Sequence, residues 1–148
     1  IGQSRAAEMR TLLRRLMFND ANPEIRQHTA FAWSQSKLPD VAPELVEQGR
    51  KDPDSGVRGQ AWFWLAQTGS ASAEDAITRA IDNESEPEVR EQAIFALSQL
   101  PAQRGVDALI GLLQDRSLPR NHRKQAMFWL AQSESSDAME YLGDILSR

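Results

Sequence analysis

Arg58-Gly-Gln-Ala-Trp-Phe-Trp-Leu-Ala-Gln67 has three near-copies in this chain. They are Arg26-Gln-His-Thr-Ala-Phe-Ala-Trp-Ser-Gln35, Arg90-Glu-Gln-Ala-Ile-Phe-Ala-Leu-Ser-Gln99 and Arg123-Lys-Gln-Ala-Met-Phe-Trp-Leu-Ala-Gln132. The four arginines stand 32, 32 and 33 residues apart. Self-similarity at a fixed period of this length is the signature of stacked supersecondary units. A stack of that kind works through an extended surface more often than through one pocket.

Each copy carries helical periodicity. Counting from the arginine as zero, position −1 holds Ile25, Val57, Val89 and His122. Position +3 holds Thr29 or alanine, position +6 holds Ala32, Trp64, Ala96 and Trp129, and position +7 holds Trp33 or leucine. This spacing predicts one apolar stripe along a helix. Asn22-Pro23-Glu24 combines a capping residue, a proline at the first helical position and an acid in the first turn. A weaker row, Leu13, Leu45, Ile77, Leu109 and Leu142, marks a second helix before each phrase. Nine helices are therefore expected, over 5–18, 23–36, 40–51, 55–68, 73–82, 87–99, 104–115, 119–132 and 136–147. Odd-numbered helices are called A and even-numbered ones B. The expected fold is an all-α, right-handed α-solenoid of antiparallel hairpins. It forms one domain over 1–148, with repeats at 5–36, 40–68, 73–99 and 104–132 and a terminal helix at 136–147. A helices are expected on the convex side and B helices on the concave side. Arg10, Arg14, Arg15 and Glu8 suggest a polar outer side that caps the first helix.

Composition narrows the functional classes. The net charge is −4, which disfavours a nucleic-acid partner because phosphate neutralisation needs clustered lysine and arginine. Cysteine is absent, which excludes disulfides, thiolate metal sites and a cysteine nucleophile. No apolar run approaches the roughly 20 residues of a membrane span. The chain begins at Ile1 and shows no signal-peptide pattern, which suggests a processed protein or a piece of a longer one. Cytoplasmic and periplasmic locations both remain compatible.

Asp52-Pro53-Asp54-Ser55-Gly56-Val57-Arg58-Gly59-Gln60-Ala61, followed by Leu65, matches the pattern Asp-Pro-Asp-x-x-Val-Arg-x-x-Ala-x-x-x-Leu. The chain thereby resembles the HEAT repeat, in particular the bacterial HEAT-like repeats also found in phycobilisome lyases. The resemblance implies a ladder in which the acid of each A–B turn pairs with the arginine opening a B helix. Asp20, Asp52 and Glu84 fall at the acid positions. In the fourth repeat Ser117 stands there, so the ladder should weaken at that joint.

The remaining features are weighed the same way. The phenylalanines at +5 (Phe31, Phe63, Phe95, Phe128) are read as packing between repeats; the alternative reading places part of each ring on the concave surface as an aromatic contact. The glutamines at +9 (Gln35, Gln67, Gln99, Gln132) are read as amides that satisfy helix-end carbonyls or the neighbouring turn. Trp33, Trp64 and Trp129 are assigned to the buried stripe, and Trp62 to the face between repeats. His28 and His122 lie too far apart to share a metal. No phosphate loop, nucleophile elbow, cofactor motif or metal motif is present. Arg116, Arg120, His122, Arg123 and Lys124 gather at the fourth turn, opposite in charge to the acidic middle turns.

These readings lead to a non-catalytic protein-interaction or scaffolding module, part of a larger protein. Its partner, a protein or peptide, would lie along the concave B-helix face. The contact positions would be +1, +5, +8 and +9: Gln27, Phe31, Ser34, Gln35, Gly59, Phe63, Gln67, Glu91, Phe95, Ser98, Lys124, Phe128 and Gln132. Two alternatives belong to other classes. One is a nucleic-acid-binding HEAT-like domain, which would need a basic concave surface. The other is an accessory subunit of a lyase-type enzyme, implied by the resemblance alone.

Overall fold

The computed structural model describes residues 2–101 and 103–148; Ile1, which opens the chain, lies outside them. Among the described residues there are nine α-helices and no strand. They are α1 (Gly2–Asn19), α2 (Pro23–Gln35), α3 (Ala42–Lys51), α4 (Ser55–Gln67), α5 (Ala73–Asn83), α6 (Pro87–Ser98), α7 (Gln103–Gln114), α8 (Arg120–Gln132) and α9 (Ser136–Leu146). Helix α1 starts earlier than the sequence pattern suggested. Helix α3 starts later, because Asp40 takes a left-handed φ of 56° that interrupts a helix.

Local chemistry explains the starts. Asn22 caps α2 by accepting the Glu24 N–H at 2.9 Å, with Pro23 in the first turn. Asp54 caps α4 through the Val57 N–H at 3.0 Å. Helix α8 lacks both devices: Pro119 precedes it, no side chain caps it, and its first turn holds no acid.

Each A helix packs antiparallel against the B helix that follows, and each hairpin packs on the next. The B helices approach one another more closely along the row than the A helices do. A row that is tighter on one side curves toward it, so the B face lies inside the bend. The core is continuous from Met17 through Leu45, Leu65, Ile77, Leu97 and Leu109 to Leu130. Gly49 has a packing role: a Cβ there would fall 2.5 Å from the buried Trp62 ring, so the glycine lets that indole lie flat on α3.

The ladder is present and crosses repeats. The Arg26 Nε–H and Nη2–H donate to the two Asp52 carboxylate oxygens at 2.9 and 3.1 Å, and Nη1–H donates to the Asp20 carbonyl at 2.8 Å. Arg58 repeats this with Glu84, both contacts at 3.1 Å, and with the Asp52 carbonyl at 2.8 Å. Hydrogen bonding to Asp52 raises the Arg26 pKa further above its usual value, burial opposing. Each acid also holds its own turn: Asp52 accepts the Asp54 N–H and Glu84 accepts the Glu86 N–H. At the next joint Arg90 donates to the Ile81 carbonyl of its own hairpin and, among the described residues, meets no carboxylate at ion-pair distance. The acid of the fourth turn, Asp115, bonds Ser117 instead, and those bonds lower its pKa.

The first joint carries two more polar ties. Gln48 is fully buried and donates to the carbonyls of Met17 and Arg26. Arg10 and Arg14 both reach the buried Glu44 of α3 at 3.1 Å, and the Arg10 guanidinium lies over the Trp33 ring. Arg10 and Arg14 therefore join α1 to α3, while Glu8 and Arg15 stay exposed, as do Met9, Leu12 and Ile25.

His122 fills the place of Val57 and Val89. It is buried, and neither ring nitrogen has a hydrogen-bond partner. Burial pushes its pKa below the usual 6.5, as does the charge of Arg90, while Glu91 and the nearby Pro87 carbonyl act upward. The folded state thus favours the neutral ring. Stability is complete above about pH 6.5 and falls as pH drops toward the lowered folded-state value, because the unfolded chain takes the proton first.

Two outcomes follow for stability, both read by urea unfolding. Asp52→Ala strands the buried Arg26 and lowers stability by about 3 kcal/mol, with Glu84→Ala costing less because its pair is more exposed. His122→Val raises stability by about 1 kcal/mol at neutral pH. It also reduces the loss of stability as pH falls below about 6.5, the unfolded-state value of histidine.

Candidate interaction face

The B helices carry a row of touching aromatic rings. Phe31 of α2 meets Trp64 of α4 at 4.8 Å between centroids, tilted by 54°. Trp64 meets Phe63 edge-on at 4.8 Å. Phe63 then stacks on Phe95 of α6 at 5.8 Å, with the rings 3° from parallel. Phe95 meets Trp129 of α8 at 4.7 Å, and Trp129 meets Phe128 edge-on at 4.9 Å. The row thus crosses all four B helices. Contacts of this kind contribute about 0.5–1.5 kcal/mol each beyond burial.

The row is structural and accessible at once. Phe31 and Phe128, at its ends, are 44% and 54% exposed, and the four rings between them are half-buried. Phe31, Phe63 and Phe95 thus pack across the seams between repeats, as the packing reading expects. The expectation for Trp64 and Trp129 is corrected: they lie in this half-buried row, whereas Trp33 and Trp62 are in the core. The sequence held a signal for this. Position +6 alternates Ala32, Trp64, Ala96, Trp129, a change in volume that one close-packed core position would not tolerate. Each tryptophan instead lies over the phenylalanine of the repeat before it, so the rings pair the repeats two by two.

The glutamines are also corrected. Gln35, Gln67, Gln99 and Gln132 are exposed and accept no helix-capping role. Gln35 and Gln99 reach only the hydroxyls of Ser34 and Ser98. Hydroxyls satisfy the helix-end carbonyls instead: Ser36 on Trp33, Thr68 on Leu65 and Ser133 on Leu130. The amides stay available along the edge of the aromatic row.

Position +1 divides. Gly59 is buried, and a Cβ there would fall 1.3 Å from Gln92 Oε1, so it is a joint between α4 and α6 and not a surface contact. Gln27 is partly covered, while Glu91 and Lys124 are exposed. These two form opposite walls of a shallow groove floored by Phe95, Phe128 and Trp129. Ser34 and Ser98 bond backwards to the carbonyls of Phe31 and Phe95 and are partly covered. The face is therefore an aromatic floor, an amide edge and one charged groove at the third joint.

Among the described residues no group of three or more His, Cys, Asp or Glu is placed to hold a metal ion. No helix among them is long and apolar enough to cross a membrane. His28 is exposed in α2 and His122 is buried in α8.

A family model of HEAT repeats matches residues 42–121, from the start of α3 to the first turn of α8. No curated protein matches the chain.

Proposed function

Because the chain belongs to the HEAT repeat family, we propose that it is a non-catalytic protein-interaction module whose partner lies along the B-helix face. Repeats of this family commonly mediate protein–protein contact. The single observation that carries the reading is the aromatic row from Phe31 to Phe128, accessible at both ends and bordered by exposed glutamines. Aromatic rings give large contact area at small entropic cost, and they are enriched among the residues that dominate interface energy. The exposed amides beside them offer donors and acceptors to an extended backbone. The groove between Glu91 and Lys124 supplies the one place on the face where charge would select among partners.

The charge pattern supports a protein partner over a nucleic acid. Lys124 is the only cation among the proposed contacts and stands opposite Glu91. Phosphate binding would need several cations along the face.

Selection of a random peptide library on the purified protein tests the reading. Enriched peptides are expected to lose at least tenfold in affinity on Phe128→Ala and on Phe31→Ala, and to respond in opposite directions to Glu91→Lys and Lys124→Glu when they carry charge. Peptides that bind all four variants as they bind the unaltered protein would place the interaction elsewhere.

A further inference from the structure

Among the described residues, six side-chain polar atoms are buried without a hydrogen-bond partner, and four of them lie on the two helices of one seam, α6 and α8. They are Gln92 Oε1 on α6, and His122 Nδ1, His122 Nε2 and Gln125 Oε1 on α8. In the two seams before it the position of His122 holds Val57 and Val89, both buried and apolar. Ladder carboxylates tie those earlier seams, whereas Arg90 of this one donates to the Ile81 carbonyl. The seam is internal to the chain, with α7 and α9 packed on α8 behind it.

A neutral ring suits this place and a charged one does not. The charges that shift His122 both come from α6: Arg90 opposes a proton, and Glu91 favours it, as does the Pro87 carbonyl. Burial is the largest influence and acts with Arg90, so the closed seam holds the proton less readily than an open one. On α8 itself Arg120, Arg123 and Lys124 flank the histidine in sequence, and Asp115, in the turn before it, is engaged by Ser117. A proton that binds the open seam more tightly than the closed one shifts the balance toward opening as pH falls.

The same seam builds the charged groove of the B-helix face. Glu91 and Phe95 belong to α6, and Lys124, Phe128 and Trp129 to α8. The 4.7 Å contact of Phe95 with Trp129 spans the two helices. We infer that the α6–α8 seam is an acid-opened joint: a proton on His122 parts α8 from α6 and takes the Glu91–Lys124 groove apart, releasing a partner held there. The release rests on the B-face reading; the opening does not.

The chain has no cysteine, so paired spin labels can be placed on introduced ones. Labels on the exposed positions of Ser85→Cys and Asn121→Cys span this seam, and labels on Lys51→Cys and Ser85→Cys span the seam before it. From pH 7.5 to pH 5 the first pair is expected to change from mainly its closed distance to mainly a longer one, while the second pair keeps its distance. In His122→Val, which restores the residue of the earlier seams, the first pair should keep its pH 7.5 distance at pH 5, which also shows the variant folded. No lengthening, equal lengthening of both pairs, or lengthening that persists in His122→Val overturns the inference. These distances are read without a partner, so they stand apart from any failure of the B-face reading. A peptide selected on that face at pH 7.5 should bind at least twofold more weakly at pH 5, as a seam open in half of the molecules requires, and His122→Val should abolish the difference. An affinity that ignores pH while the first pair lengthens overturns the coupling to the groove.

Discussion

A guanidinium buried beside a helix start needs a carboxylate, and in this chain the carboxylate comes from the next hairpin. Arg26 reaches Asp52 and Arg58 reaches Glu84 with paired, charge-assisted bonds, while each arginine also holds the carbonyl of its own turn. One side chain thus ties the turn of its own repeat to the turn of the following one. The acid in turn shapes the backbone that caps the next B helix, through Asp54 or Glu86. Position, cap and stacking angle are set together. Removing either member leaves a charge without its partner in a site that water scarcely reaches.

The aromatic face depends on that joint. Rings on separate helices touch in a fixed order only if the B helices hold a constant register, and the ladder supplies the register along the turn edge. On the opposite side of each B helix the apolar positions at +3 and +7 fill the core. The phenylalanines at +5 fall between these two constraints, half in the seam and half in solvent. That placement lets one residue stack repeats and present a contact surface at the same time. The fourth repeat is held differently. Its joint has Arg90 turned back on its own hairpin, His122 unpaired in the core and Asp115 engaged with Ser117.

The fold was legible because its determinants are local and repeated. The arginine period, the proline and acid starts and the leucine row place every helix within a few residues. The weakening of the ladder at the fourth turn could also be read from Ser117, which stands at the position of Asp20, Asp52 and Glu84. What could not be read was the neighbour of each side chain across the seam. Trp64 and Trp129 share helical spacing with core residues, yet the Phe31 and Phe95 rings of the preceding repeat draw them to the surface row. The glutamines lost their capping role to hydroxyls one residue further along, a competition decided by reach. Gly59 looked like a variable surface position, but the long Gln92 side chain from the next repeat covers it. Arg10 and Arg14 looked like a solvated edge, because Glu44 lies 30 or more residues away in sequence.

Native-state hydrogen exchange measures the joint-by-joint claim most directly, since it reports the free energy at which each helix opens. The ladder account predicts that amides of α3, α4 and α6 exchange only through openings near the global unfolding free energy. Amides of α8 and α9 should exchange through a cheaper opening of the fourth repeat. Equal protection of α8 and α4 would contradict the claim that the Arg–carboxylate joint sets the strength of the stack.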